Sequence, residues 1–420
     1  INNNSMKTLI IIIAMIFVNQ LTFTQWLSDG KEEEIWDVYC DEHRIQIDFD
    51  NQNTGWAVHW AKDSVFKTTN AGLNWTSYFI NDTNGLSSIH FINSNTGWVA
   101  GKHGIIAKST NGGITWIPQN SGVQSWLYTI YFYDVNTGMA VGSLDSNRVI
   151  LRTTNSGSNW QILMRNNQSR LYSVYMQSGQ IIHCVGASGT IIYSTNGGLN
   201  WINQLSGTGA NLRDIVFSGT LGCAVGWNGV ILTTTNNGTN WINRSFNTTN
   251  FYGVDFSGID SGYVCGLGKM YKTVNGGVNW FQQTTPVPDT VNIKNVFCVN
   301  SQIVWAQPCY GNLIYTTNGG SPIGIQPISN EIPMDYALAQ NYPNPFNPNT
   351  KIRIGISKYS FAQLTIYDIT GRVLAILVNE DLKPGIYEVD WDASHRASGV
   401  YYYKLEAETY SETKRMVLLK

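Results

Sequence analysis

The chain is poor in charge. Of its 420 residues only 13% are Asp, Glu, Lys or Arg, about half of what a soluble domain ordinarily carries. Helix surfaces are built from Glu, Lys and Arg, so the shortage argues against an α-rich fold. Between Glu42 and Glu331 there is no glutamate at all. The formal net charge is −2. With no basic excess to neutralise phosphates, nucleic acid is not an expected partner. The six cysteines (Cys40, Cys184, Cys223, Cys265, Cys298, Cys309) show no CxxC spacing and no histidine at zinc-ligand spacing. His59, His90, His103 and His183 show no ligand spacing either. A P-loop, a dinucleotide motif and a nucleophile elbow are absent. The sequence therefore leads to an expectation of no metal and no cofactor.

What fills the gap is glycine (40), tryptophan (15), tyrosine (22) and many Asn and Thr. These residues suit short strands and tight turns. Charge is also unevenly placed. Residues 1–44 carry 3 basic and 7 acidic groups, residues 45–324 carry 13 and 10, and residues 325–420 carry 10 and 11. Three regions are visible before any motif is read.

Met6 and Lys7 precede an apolar run from Leu9 to Val18 and a polar exit from Asn19 to Gln25. A charged start, a short apolar core and a polar exit are the layout of a secretory signal peptide. The run is about half of the roughly 20 residues a spanning helix needs. Residues 1–25 are expected to be this signal, with residues 1–5 an upstream extension of the reading frame. No later stretch is long enough to span a membrane, so the mature chain is expected to be soluble or surface-attached. Export permits disulfides. Cys184, Cys223 and Cys265 fall on equivalent strands of the repeat described next and read as buried thiols. A bridge between Cys298 and Cys309 stays open.

A turn signature recurs: Thr68-x-Asn70-x-Gly72-x-x-Trp75, then boxes ending in Trp116, Trp160, Trp201, Trp241 and Trp280. A seventh copy, Thr316-x-Asn318-x-Gly320, lacks the tryptophan. Upstream of each box lies an Ile/Val-x-apolar pair: Ile47-Phe49, Ile89-Phe91, Ile130-Phe132, Val174-Met176, Ile215-Phe217, Val254-Phe256 and Val296-Cys298. Between the two sits a third marker, seen in Gly97-Trp98-Val99-Ala100-Gly101 and Gly138-Met139-Ala140-Val141-Gly142. Three markers in register at a period near 42 residues define seven repeats. Each reads as four short strands separated by turn residues, the blade of a β-propeller. The box hydroxyl and amide suit turn bonding, Asn-Gly pairs suit positive φ, and the tryptophan is expected to fold back as an apolar plug.

These residues resemble the Asp-box (BNR) repeat, and more closely the propellers of the photosystem II assembly and stability factor family. The resemblance covers about residues 26–324. It departs from the Asp-box at the acid, which is Asn in every copy. It implies that the box lies on the face opposite the functional loops. Ring closure is expected to use the N-terminus, with Trp26 supplying the outer-strand tryptophan that the seventh repeat lacks, since an open ring would leave an unpaired edge.

Residues 325–335, with Pro327 and Pro333, read as a linker. Then come Asn341-Tyr342-Pro343-Asn344-Pro345-Phe346-Asn347-Pro348, Ile366-Tyr367-Asp368-Ile369-Thr370-Gly371-Arg372, Gly385-Ile386-Tyr387-Glu388-Val389-Asp390-Trp391-Asp392, Ser398-Gly399-Val400-Tyr401 and the end at Lys420. Alternating strands between Gly, Pro and Asn turns predict a small antiparallel sandwich. The proline-asparagine run has no evident packing role. These motifs resemble the type A C-terminal sorting domain of the type IX secretion system. That resemblance implies a partner in the secretion machinery, passage across the outer membrane of a Gram-negative bacterium, and a secreted or surface-attached product. The expected fold is all-β: a seven-bladed β-propeller over residues 26–324 and an immunoglobulin-like sandwich over 336–420.

For the ring, two readings stand. One is a non-enzymatic propeller that binds glycan or protein. The residues two before each Ile/Val marker include Tyr128, Tyr172, Arg213, Tyr252 and Lys294, which blades in register would gather at one channel mouth. Aromatic residues and arginine are common binding hot spots, although the tyrosines can equally pack between blades. The alternative is a secreted glycoside hydrolase, sialidase-like or another propeller glycosidase. Such enzymes need paired carboxyls, and the ring offers only aspartates, with Asp145, Asp214 and Asp255 outside evident turn motifs.

Overall fold

The computed structural model describes residues 27–28, 45–59, 63–80, 85–144, 147–283, 285–309, 313–317, 319–320, 325–329, 331–393 and 396–420. The segment read as a signal peptide, Trp26 and Asp145 lie outside the described residues. No α-helix occurs among the described residues, and no helix is long and apolar enough to cross a membrane.

The described residues between 27 and 320 form a β-propeller of seven four-stranded antiparallel sheets. In the second, Leu86–Phe91, Gly97–Gly101, Ile106–Ser109 and Ile117–Gln119 lie side by side in sequence order. The first strands touch one another in a closed cycle. Ile45–Phe49 meets Leu86–Phe91 on one side and Ile293–Cys298 on the other. The last sheet is closed by the other end of the chain: Leu27–Ser28 pairs with Ile314–Thr316, Leu27 opposite Tyr315. Closure from the N-terminus follows the expectation and gives that sheet its fourth, outer strand.

Each marker phenylalanine of a first strand lies over a glycine directly across the ladder. Phe49 faces Gly55, Phe91 faces Gly97, Phe132 faces Gly138, Phe217 faces Gly222 and Phe256 faces Gly262. A Cβ at Gly97 would sit 2.5 Å from the Phe91 ring. Where the marker is not phenylalanine, the partner is not glycine: Met176 faces Ile182 and Cys298 faces Val304. The rings of Phe49, Phe91, Phe132 and Phe217 then meet aromatic neighbours from two blades. The box tryptophan of the same blade approaches edge-on, as in Phe91–Trp116 (5.9 Å, 85°) and Phe132–Trp160 (5.9 Å, 88°). An aromatic residue from the preceding blade stacks on the face, as in Trp56–Phe91 (3.6 Å, 4°) and Trp98–Phe132 (3.5 Å, 9°). The edge-on arrangement suits the ring quadrupole, and the stacked faces bury large apolar surfaces.

The box is a closed hydrogen-bonded turn. In Ser194–Trp201 the Ser194 hydroxyl donates to Asn196 Oδ1 (3.1 Å) and accepts from the Gly198 N–H (2.8 Å), while Asn196 Oδ1 accepts from the Asn200 N–H (2.9 Å). An amide oxygen does all that the turn asks of an aspartate, so the missing acid changes nothing in its geometry. The box also locks blades together. Trp56 Nε1 donates to the Gly112 carbonyl (2.9 Å), Trp98 Nε1 to that of Ser156 (3.3 Å), and Tyr263 Oη with Lys272 Nζ to that of Gly319 (2.6 Å each).

The C-terminal residues build two further four-stranded sheets around one core that includes Ile354, Leu364, Tyr403 and Met416. The stretch read as a linker does more than connect: Ile325–Ser329 is a strand paired with Gly385–Asp392. The proline-asparagine run has a packing role after all. Phe346 is buried in the core, its N–H donates to Val417 O, and its carbonyl accepts from the Leu419 N–H (2.9 Å each). Asn341 donates to Thr350 Oγ1 (2.9 Å) and to Pro343 O (3.0 Å). The run thereby holds the last strand in place.

Cys184, Cys223, Cys265 and Cys298 are free, and the first three are buried. Burial pushes their thiols well above the ordinary range. Cys309 is disulfide-bonded. The bridge between Cys298 and Cys309 left open by the sequence is therefore not formed.

Candidate functional site

A repeated irregularity sits at one end of the ring. In blades two to seven the ladder between the first and second strands slips by one residue, at Ser87, Tyr128, Tyr172, Arg213, Tyr252 and Lys294. These are β-bulges, which bend a strand and re-aim the extra side chain. Five of the six are the residues singled out by sequence position. In the first blade Ile45 pairs directly with His59 and there is no slip.

The slip explains the last glycine of the third marker. A Cβ at Gly142 would lie 1.9 Å from the Trp126 carbonyl oxygen, at Gly186 1.9 Å from that of Arg170, and at Gly226 2.1 Å from that of Asn211. Only a residue without a side chain lets the bulged backbone come this close.

The bulge side chains form two groups. In one, Tyr128 and Tyr172 meet with ring centroids 5.6 Å apart, and the Arg213 guanidinium lies over Tyr172 at 4.3 Å and over Trp227 at 5.6 Å. Trp126 adjoins Tyr128 at 5.2 Å and carries Lys102 over its ring at 4.9 Å. In the other, Lys294 Nζ lies 3.7 Å from the centre of the Tyr252 ring. Tyr128 Oη and Ser143 Oγ share a hydrogen bond of 3.1 Å. Arg213 and Lys294 are buried, and the three tyrosines are half-buried. Cations over aromatic faces are held in place at little electrostatic cost. Lys102, Ser143 and Trp227 were not foreseen, yet each directly follows a marker glycine (Gly101, Gly142, Gly226), so the repeat did carry their signal.

Inside the mouth, the residue before the marker stitches blade to blade in six of the seven repeats, the exception being Gly253. Gln46 Oε1 accepts from Ser88 Oγ (2.7 Å), Ser88 Oγ accepts from the Ile130 N–H (2.9 Å), Thr129 Oγ1 donates to Tyr172 O (2.7 Å), Asp214 Oδ1 accepts from Ser173 Oγ (2.7 Å), and Asn295 Oδ1 accepts from the Ile47 N–H (3.1 Å). One step deeper the channel holds Asp48 and Asp255, within a cavity of about 350 Å³. Asp48 accepts from the Phe91 N–H, and Asp255 from the N–H groups of Cys298 (2.7 Å) and Phe256 (2.8 Å). Burial is the largest cause that pushes both carboxyls up to about 7, against the pull of those backbone donors. Folding thus favours the protonated acids, and their charging opposes stability as pH climbs from about 4 through 7. Burial also lowers His90 to about 4, so it is neutral at physiological pH.

Of the carboxyls considered for glycoside hydrolysis, Asp214 and Asp255 are both engaged by neighbouring blades, and Asp145 is outside the described residues. Among the described residues no group of three His, Cys, Asp or Glu converges as a metal site.

Residues 28–119 match the family model of the photosynthesis system II assembly factor YCF48, and residues 340–419 match that of the secretion system C-terminal sorting domain. Similar solved structures include YCF48 bound to D1 peptide (17% identity, TM-score 0.56, covering 71% of this chain and 98% of that one). YCF48 from Cyanidioschyzon merolae (18%, TM-score 0.55, 69% and 98%) and the WD40 β-propeller domain of Doa1 (14%, TM-score 0.51, 66% and 93%) are also similar. At these identities the likeness shows the propeller fold. A search of curated proteins finds no match by sequence.

Proposed function

We propose that this is an exported, non-enzymatic β-propeller that holds a protein or glycan ligand at the bulge-lined mouth, and that its C-terminal domain directs it through the type IX machinery to the cell surface or beyond. The observation that carries the binding reading is the repeated bulge. Blade after blade distorts its inner ladder at one level, and five of the six side chains so placed are Tyr, Arg or Lys, of which Tyr and Arg are types that anchor interfaces. Packing alone would be served by regular pairing, as in the first blade. The similarity to a propeller solved with a bound peptide favours a polypeptide ligand over a glycan. The proposed boundaries are a signal over 1–25, the ring over 26–324 and a sorting domain over 336–420. Ile325–Ser329 pairs within the sorting domain's sheet.

Export is tested by deleting residues 331–420 in a bacterium that possesses this secretion route. The truncated chain is expected to stay in the periplasm while the full chain reaches the surface or medium. Equal export of both removes the sorting role. Binding is tested by presenting the full chain to glycan arrays and peptide libraries, with chromogenic glycosides run in parallel. Saturable binding without turnover supports the reading, and turnover that is lost in Asp255→Asn would replace it with the hydrolase.

A further inference from the structure

The ring carries a second feature that the mouth does not use. Asp48 and Asp255 face the same channel; Asp48 accepts from backbone N–H groups, and Asp255 accepts from backbone N–H groups and from the Cys298 thiol. Among the described residues neither has a Lys, Arg or His within ion-pair distance. Beside them runs an arc of aromatic side chains: His90 to Tyr131 at 4.5 Å and Tyr131 to Tyr175 at 5.0 Å between ring centres. Tyr131 donates its hydroxyl proton to Tyr175, which donates in turn to Phe217 O (2.7 Å). The oxygen of Tyr131 is left as an acceptor. The fields of both carboxyls reach the Tyr131 hydroxyl.

We propose that this waist of the channel binds a small organic ammonium ion, seated between the carboxyls of Asp48 and Asp255 and faced by the rings of Tyr131 and Tyr175. Aromatic faces and desolvated carboxylates together are what an alkylammonium group requires. A cavity of about 350 Å³ accepts a short amine. A metal ion fits less well, since no three ligating side chains converge there among the described residues.

The route in is set by charge. The mouth bears Lys102, Arg213 and Lys294, which repel a cation. At the opposite end the turns after the first strands carry Asp50, Asp134 and Asp260, and the charge of Asp50 is felt at Asp48. An ammonium ion is drawn in from that side. The other titratable groups facing the site are Asp214, His90 and Cys298. His90 stays neutral above about 4, and the Cys298 thiol stays protonated. The pH response between about 5 and 8 therefore belongs to the carboxyls. This site is independent of whatever occupies the mouth.

The test is calorimetric titration of the full chain with 1,4-diaminobutane and with its neutral isostere 1,4-butanediol. The diamine is expected to bind saturably at about pH 8 and at least about tenfold more weakly at about pH 5.5, where both carboxyls hold protons. Binding near pH 7 is expected to release protons, seen as a dependence of the heat on buffer ionisation enthalpy. That readout needs no variant. In Asp255→Asn, which keeps an acceptor for the Cys298 N–H, affinity is expected to fall at least about tenfold. Equal heat from the diol, binding unchanged at the lower pH, no proton release, persistence in Asp255→Asn, or no binding at all each overturns the proposal.

Discussion

Replacing Gly142 by alanine is expected to destabilise the ring by about 3 kcal/mol or more, enough to leave much of the protein unfolded at moderate denaturant. The new Cβ would meet the Trp126 carbonyl oxygen at 1.9 Å. That obstacle is backbone inside a bulge, with no flexible side chain to swing aside. The effect is steric and owes nothing to φ, because Gly142 is not among the positive-φ glycines. Gly186→Ala, with Arg170 O at 1.9 Å, is expected to behave alike. Gly209 is the control: it too lacks positive φ, and nothing lies within 4 Å of its Cβ position. Gly209→Ala is expected to change stability by no more than about 0.5 kcal/mol. Urea titration of the three variants compares them directly. Equal stabilities would mean that the close approach at the bulges does not exist.

Trp98→Ala is the second large effect, expected at about 3–5 kcal/mol. The side chain is fully buried, stacks on Phe132 of the next blade at 3.5 Å, and gives its N–H to the Ser156 carbonyl. Removing it opens a cavity, takes one face contact from Phe132 and takes one donor from the half-buried Ser156 carbonyl, which keeps that of Gln119 Nε2. Trp98→Phe keeps most of the area and loses the N–H, so its loss is expected to be smaller, about 1–3 kcal/mol. Trp116→Ala is expected to cost less than Trp98→Ala, because Trp116 is only half-buried and meets Phe91 edge-on. The repeat pattern drew attention to the box tryptophans. The structure gives the greater weight to Trp56, Trp98 and Trp305, which hold the blades to each other.

The propeller was legible because its three markers recur together. The phenylalanine-glycine partnership was also written in the sequence: the copies with Met176 and Cys298 lack the glycine that the others place across from phenylalanine. The bulges were not legible, because a slipped ladder depends on how two strands pair and no single strand records it. Tyr128 and Arg213 could be picked by position, but not the reason for their position. Asp48 was overlooked beside the turn residue Asp50, since nothing local tells a channel carboxyl from a capping one. It takes the closed ring to set Asp48, Asp255 and Tyr131 around one cavity. In the C-terminal domain the run from Asn341 to Pro348 looked free of packing duties because its partner, Val417–Leu419, lies some seventy residues further on.

The central claim is that the bulges exist to present a binding mouth, and one measurement reaches it most directly. The affinity of Tyr172→Ala/Arg213→Ala for the ligand selected by the full chain should be set beside that of the unaltered protein, with thermal melts of both. The claim predicts at least about a tenfold loss of affinity, on the order of 1.4 kcal/mol, with the cooperative melt retained. Undiminished binding by a variant that still melts cooperatively would contradict it and leave the bulge residues as packing between blades.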